Sequence, residues 1–266
     1  MPYTVKIEIA NNVFQISSDS EWHILWLKDN YSTFVSQASP DLEVFLKLDK
    51  KWAERPDSFL PPKAEWRENL LHAKMRSFDI DIDVPGRTAM VRASPQFGIV
   101  GLVKFLSSIM LMKKDGFLLH ASSVLNGGSS CIFFGPSGSG KTTIARLAGQ
   151  RAVLSDETAA ISRRGNSYYA HATPFAGEFG RVRKNTGGPI KAAFFLNKDT
   201  RFFHKRLGRG EAIKKLFCSV MMDLADPGIA DSLFSSFDMF VKSVPCYDLY
   251  FKPKNTIWRY IDGIAG

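Results

Sequence analysis

A chain of 266 residues, 45% of them hydrophobic and 23% charged, has the composition of a globular protein with material for one large core or two ordinary ones. A net charge of +9 suits acidic partners such as nucleotides, phosphorylated substrates, acidic peptides or nucleic acid, yet no DNA- or RNA-reading module is recognisable, which makes nucleic acid a minor option. The three cysteines, Cys131, Cys218 and Cys246, form no C-x-x-C pair and no metal-ligand spacing, and so sparse a set points to a reducing compartment.

Residues 4–16 place apolar side chains at Val5, Ile7 and Ile9 and again at Val13, Phe14 and Ile16, which predicts a strand pair turning at Asn11-Asn12. Ser20 can cap a helix carrying Trp22, Leu25, Trp26 and Tyr31. A strand is predicted over 42–48 and a proline-rich loop over 54–64. Strict alternation over 78–84 predicts a strand with one wet face. Asp79, Asp81 and Asp83 spread along that face and lack the glycine and glutamate of a calcium loop, so a solvated face is expected there. A further strand over 87–93 precedes an apolar helix over 97–112. Lys113-Lys114-Asp115-Gly116 closes that helix with a basic last turn and then glycine. Lys104, Ser107 and Ser108 interrupt its apolar run, which is short for a bilayer crossing, and the N-terminus lacks a signal-peptide core. A cytoplasmic protein with no membrane partner is expected.

Strands over 117–124 and 130–134 flank the hairpin signal Asn126-Gly127-Gly128, and Cys131 within the second reads as a buried, inert thiol. That strand feeds Gly135-Pro136-Ser137-Gly138-Ser139-Gly140-Lys141-Thr142-Thr143, which fits the phosphate-cradling pattern G-x-x-x-x-G-K-[ST]. A helix is predicted over 142–150, ending near Gly149. Strand, glycine-rich turn and helix together turn backbone N–H groups and the positive end of a helix toward a polyphosphate. Gly135, Gly138 and Gly140 allow the tight turn, Lys141 reaches the β- and γ-phosphates, and Thr142 ligates Mg²⁺. Residues 151–157 predict a short strand ending in Asp156 and Glu157. Placed beside the loop strand, these acids would face the phosphates, one serving the metal and the other a substrate hydroxyl. The plainer reading has Asp156 only turning the chain. A hairpin over 159–172 follows, then a glycine-rich basic loop over 173–189 with Glu178, Arg181, Arg183 and Lys184, of a length that is usually functional or mobile. A strand over 190–196, helices over 211–224 and 232–241, a strand over 246–251 and a helix over 255–261 complete the chain. His120, in the first hairpin strand, is of a type more often found satisfied in a core than in catalysis.

Gly116-Phe117-Leu118-Leu119-His120-Ala121-Ser122, then Phe133 through Thr143, then Leu154-Ser155-Asp156-Glu157 resemble, in that order, HPr kinase/phosphorylase and its relatives, over roughly residues 116–217. The resemblance implies an α/β fold of α+β-like character with a mixed sheet. A P-loop kinase core of the HPr kinase/phosphoenolpyruvate carboxykinase type would span residues 93–266, with a small N-terminal α+β region, residues 1–92, helping to recognise the substrate. It implies ATP and Mg²⁺ as cofactors, with the loop from Gly135 to Thr143 binding nucleotide. His120 matches the family's active-site histidine, Lys141 its loop lysine, and Thr142 its metal-holding hydroxyl. Asp156 and Glu157 stand where the family has two aspartates, the second being its proton acceptor. Glu178 matches a second metal-binding acid. The family's glycine-rich run after Glu-Ile-Arg survives only as Glu178-Phe179-Gly180-Arg181. Its later catalytic arginine has no direct match, leaving Arg181, Arg183, Arg206 and Arg209 as candidates. These departures point away from HPr as substrate and toward divergent kinases of the group, some of which phosphorylate a peptide serine. The expected function is an ATP- and Mg²⁺-dependent phosphotransferase acting on a hydroxyl, a serine of a peptide or small protein. The alternative is a nucleotide-binding or ATP-hydrolysing regulatory module with no phosphoacceptor. A carboxykinase lacks its histidine motif and arginine pair here. HPr kinases assemble as hexamers, which leaves a homo-oligomer open.

Overall fold

The computed structural model describes residues 1–49, 63–75, 78–94, 98–175, 177, 184–222 and 226–265. The chain divides into two compact units, Met1–Met110 with Met222–Asp231, and Leu111–Met221 with Ser232–Gly266.

The first unit opens on an antiparallel hairpin of β1 (Tyr3–Ile9) and β2 (Asn12–Ser18). Its turn falls on Ala10 and Asn11, at φ 50° and 59°, one residue earlier than the Asn11-Asn12 pair expected. Consecutive positive φ values match the twist of the flanking strands, and the Asn12 side chain braces the turn by donating to Ala10 O at 3.1 Å. Helix α1 (Glu21–Asn30) follows Ser20, whose hydroxyl meets His23 Nδ1 at 3.0 Å instead of capping a backbone amide. Strands β3 (Leu42–Leu48), β4 (Lys63–Arg67), β5 (Leu70–Lys74), β6 (Phe78–Asp83) and β7 (Thr88–Ala93) complete a mixed sheet ordered β1-β2-β3-β7-β6-β5-β4. Period-two alternation sends Val44, Leu46, Leu71, Ile80, Ile82 and Val91 to a buried face. On the opposite face Arg92 Nε bonds Asp79 Oδ1 at 2.9 Å and His72 Nδ1 meets Asp81 Oδ1 at 2.7 Å. The aspartate run is thus a solvated, cross-paired strand face, as its alternation implied. Of the loop expected over 54–64, residues 54–62 lie outside the described residues, and 63–64 already belong to β4.

Helix α2 (Ile99–Met112) ends in a tight reversal. Gly116 N donates to Leu111 O at 2.8 Å, and Asp115, not glycine, takes the left-handed position at φ 56°. Gly116 is required for another reason: a Cβ there would lie 2.4 Å from Ile161 O.

The second unit contains β8 (Phe117–Asn126), β9 (Ser129–Phe134), α3 (Lys141–Arg146), β10 (Ala152–Ser155), β11 (Thr158–Arg164), β12 (Ser167–His171), β13 (Gly187–Lys198), β14 (Phe203–Arg206), α4 (Arg209–Phe217), α5 (Pro227–Ser243, its first residues in the first unit), β15 (Cys246–Phe251) and α6 (Ile257–Ala265). Two long strands each serve several partners. β8 pairs antiparallel with β9 over 121–126 and with β11 over 117–120, while β13 pairs with β12 at its start and runs parallel to β9 and β15 further on. The sheet is mixed, as expected. One face carries a core of Phe133, Phe194, Leu249 and Phe251 under Ile144, Trp258 and Ile261. Trp258 joins two helices there, its indole N–H donating to Ile144 O at 3.2 Å. Elsewhere Phe117 meets Phe237 and Phe240 edge-on at 4.8 and 5.4 Å.

Several predicted bounds shift. α3 stops at Arg146, four residues short of the expected 150. β13 begins at Gly187, which shortens the expected loop. α4 stops at Phe217 because the next residues pair with β8: Val220 bridges Leu119, and Ser219 O accepts from His120 N at 2.7 Å. α5 starts at Pro227, not 232, because the Asp226 carboxylate accepts from Ile229 N at 3.0 Å and proline suits the first helical turn. Among the described residues no helix is long and apolar enough to cross a membrane.

Candidate active site

β9 ends at Phe134, and the chain turns through residues 135–140 into α3. Gly135, Gly138 and Gly140 sit at φ 147°, 74° and 105°, values that L side chains rarely adopt. Gly140 is constrained twice, since a Cβ there would approach Phe251 Cζ to 2.6 Å. Lys141 opens α3 almost fully buried, and its ammonium donates to Gly135 O at 2.8 Å and Pro136 O at 3.0 Å. Burial holds its pKa below the ordinary lysine value. The Ser139 hydroxyl, in a residue only 5% exposed, has no hydrogen-bond partner among the described residues. A lysine folded onto its own loop's carbonyls and an orphaned buried hydroxyl are groups that an anion seated in the loop would engage. The loop therefore fits a polyphosphate. Pro136, Ser137 and Gly138 are exposed at its crest, and Thr142 and Thr143 are half-buried on the first turn of α3.

Asp156 and Glu157 occupy a break in what is otherwise one long strand. Ser155 lies opposite Ser123 and Thr158 opposite His120, so past a register shift between Val153 and Ser155 the end of β10 and the start of β11 follow β8 in one register, and the two acids lie between them. Ser155 braces the break, its hydroxyl accepting from Glu157 N at 3.3 Å and Thr158 N at 2.9 Å. Across it, Ala121 N donates to Glu157 O at 3.0 Å and the Ser122 hydroxyl to Asp156 O at 3.1 Å. Ala121 also pairs with Phe134 on its other side. The strand carrying the acids is therefore not beside the loop strand: β8 runs between them. Two strand spacings, roughly 10 Å of backbone, separate Glu157 from the end of β9. Such irregularities re-aim side chains and concentrate near active sites. Asp156 is 5% exposed, and its Oδ1 accepts from Gly177 N at 2.9 Å. A Cβ on Gly177 would lie 2.6 Å from Asp156 Oδ2.

His120 is half-buried on β8, opposite Thr158 on one side and bonded through its main chain to Ser219 on the other. Glu178, Arg181 and Arg183 lie outside the described residues. Of the remaining arginine candidates, Arg209 pairs with Asp238, and Arg206 donates to the Tyr247 hydroxyl at 3.1 Å. Among the described residues no group of three or more His, Cys, Asp or Glu side chains could hold a metal ion. Mg²⁺ commonly binds through one or two carboxylates plus substrate phosphates and so requires no such cage.

Three features near the loop had no local signal in the sequence. Phe251, the packing wall of Gly140, is more than a hundred residues away from it. The Gly177 amide that holds Asp156 sits in a stretch read only as loop. The third is a polar cluster around the buried Asp248, in register with the end of β9. Phe134 pairs with Phe195, and Phe195 with Asp248. The Asp248 carboxylate accepts from Lys215 at 2.6 Å and Asn197 at 3.1 Å, and the Lys215 ammonium lies 4.3 Å from the Phe195 ring centre.

A family model described as SynChlorMet cassette protein ScmC matches residues 92–265. Comparison with curated proteins finds no match. Among solved structures the chain is similar to the Hpr(Ser) kinase/phosphatase from Coxiella burnetii, at 9% identity and a TM-score of 0.34, over 56% of this chain and 99% of that one.

Proposed function

The chain belongs to the SynChlorMet cassette protein ScmC family, and we propose that it is an ATP- and Mg²⁺-dependent phosphotransferase acting on a hydroxyl, a serine of a peptide or small protein. In this reading residues 93–266 form a P-loop kinase core of the HPr kinase/phosphoenolpyruvate carboxykinase type, residues 1–92 contribute to substrate recognition, and the protein works in the cytoplasm. The supporting observation is the loop itself: positive φ at Gly135, Gly138 and Gly140, with the ammonium of Lys141 on the Gly135 and Pro136 carbonyls.

When bound, MgATP supplies the γ-phosphoryl group and neutralises charge on it; the protein supplies positioning and electrostatics. Lys141, now on two neutral carbonyls, would engage phosphate oxygens in a stronger, charge-assisted interaction. Thr142 and Asp156 would hold the metal, and the resemblance adds Glu178 to that set. The Gly177 amide fixes the Asp156 carboxylate from one side. Glu157, half-buried on the braced break, takes the acceptor hydroxyl's proton, and His120 lines the acceptor's approach from β8.

Incubation with γ-labelled ATP, Mg²⁺ and serine-containing peptides or a fractionated lysate tests this. Label should move to a serine. Glu157→Gln should keep ATP binding while transfer falls by about 10²–10⁴-fold, the usual span for losing a general base. Label found only in inorganic phosphate would replace the kinase by an ATP-hydrolysing module.

A further inference from the structure

The second unit's sheet ends in β14, which pairs only with β15 among the described strands. All four of its residues are exposed. Leu207 N donates to Cys246 O at 2.9 Å, which fixes the phase of the antiparallel ladder: Lys205 and Phe203 turn their main-chain groups to β15, while His204 and Arg206 turn theirs outward. No hydrogen bond occupies that outer edge among the described residues.

The edge is also cationic and pre-ordered. Lys205 and Arg206, with Lys252 and Lys254 just past the end of β15, are exposed or half-buried and form no ion pair among the described residues. Aromatic contacts hold the strand's own side chains. Phe203 stacks on Tyr250 at 4.2 Å and 5°, His204 Nδ1 meets the Tyr260 hydroxyl at 2.8 Å, and the Arg206 guanidinium lies 5.1 Å from the Tyr247 ring centre. Little ordering entropy is left for a partner to oppose.

We infer that the outer edge of β14 docks an extended acidic peptide as an added strand, and that this peptide carries the acceptor hydroxyl. The second half rests on the kinase reading above. Lysine and arginine on an edge repel a second copy of the same strand, and the same charge selects a segment rich in glutamate or aspartate. Single-stranded nucleic acid is less favoured because the aromatic rings already pack against one another. Phe203 pairs with Tyr250, next to the Phe251 that abuts Gly140. An added strand would run roughly 10 Å from β15, and a few extended residues beyond its end would span the distance to the phosphate loop.

The test is fluorescence anisotropy on the full chain, without nucleotide. The probe is a fluorescein-labelled peptide alternating glutamate and valine, with one serine beyond its end. It should bind, more weakly as salt rises, and its lysine-for-glutamate counterpart should not. The double variant Lys205→Glu/Arg206→Glu should weaken binding at least about tenfold. His204→Pro removes an outward N–H without touching the β15 ladder and should weaken binding about tenfold relative to His204→Ala. Should His204→Pro not fold, N-methylating the peptide at alternate residues serves instead: one register should abolish binding and the other spare it. Equal binding by both registers, equal binding of the lysine peptide, tighter binding of oligouridylate, or a dimer that Lys205→Glu/Arg206→Glu dissolves would each overturn the inference. Lost peptide binding with ATP binding intact would remove this inference alone. With γ-labelled MgATP then added, a bound peptide whose serine takes up no label would remove the acceptor half of the inference and leave the docking edge.

Discussion

Gly140 has no room for a side chain. Its φ of 105° and the Phe251 ring behind it both forbid one, so Gly140→Ala should lower stability by about 1–3 kcal/mol and weaken MgATP binding at least tenfold. Thermal melts and an ATP titration check the two effects separately. His171 offers a pH-dependent prediction. It is buried with its Nε2 2.7 Å from the Ser162 hydroxyl, and desolvation, aided by Arg164, pulls its pKa down to about 4 from 6.5. Below pH 6.5 the unfolded chain takes the proton first. Stability is therefore fully present above that pH, falls by on the order of 3 kcal/mol as pH drops toward 4, and then levels. The gap between the denaturant midpoints of the wild type and His171→Gln should be constant above pH 6.5 and should shift against the wild type as pH falls toward 4; profiles parallel over the whole range would contradict the assignment. At this scale the sequence disclosed Lys141 and its glycines because their chemistry is local, a fixed spacing after an apolar run. The Gly177 amide on Asp156 and the Phe251 wall were hidden, because each depends on a contact made across the fold. Cys131 was legible as an inert thiol: burial pushes it up to about 12.

Elements declared themselves where one face is apolar. The alternation of β6 and β7 is a burial pattern written in sequence, and those strands fall within a residue or so of expectation. β4 and β14 left no such trace, since four of the five residues in the one and all four in the other are exposed. Helix ends failed for a different reason. α4 stops early because residues 219–221 are taken by β8, a long-range competition that no local propensity reports. For the proposed phosphate transfer, the element that matters most is the strand interrupted at Asp156–Glu157. Its acids were legible, but the intervening β8 was not, because pairing order cannot be read from one strand's pattern. Ser155 holds that break, so Ser155→Ala should spare the fold, costing about 1 kcal/mol for lost amide acceptors, yet cut phosphate transfer more than ATP binding. A kcat/KM comparison against ATP affinity would show it. On the opposite flank, Trp258→Ala should cost about 3–5 kcal/mol by opening a cavity under α3, measurable by urea denaturation.

Over the whole molecule, two sheets in two compact units carry different surfaces. The first presents an aspartate-bearing face on which Arg92 bonds Asp79 and His72 meets Asp81. The second gathers, along β14 and the end of β15, cations that form no ion pair among the described residues. The net charge of +9 is therefore unevenly spread, and its concentration beside the loop-bearing end of the sheet agrees with an acidic substrate approaching that side. The composition announced the excess without saying where it collects, since exposed lysines obey no periodicity. In the proposed function, the loop between β9 and α3 grips a triphosphate through Lys141. In equilibrium dialysis of the full chain against labelled MgATP, the wild type should retain nucleotide and Lys141→Ala should lose at least tenfold in affinity, whereas a wild type that retains none, or a variant that retains as much, would rule that grip out.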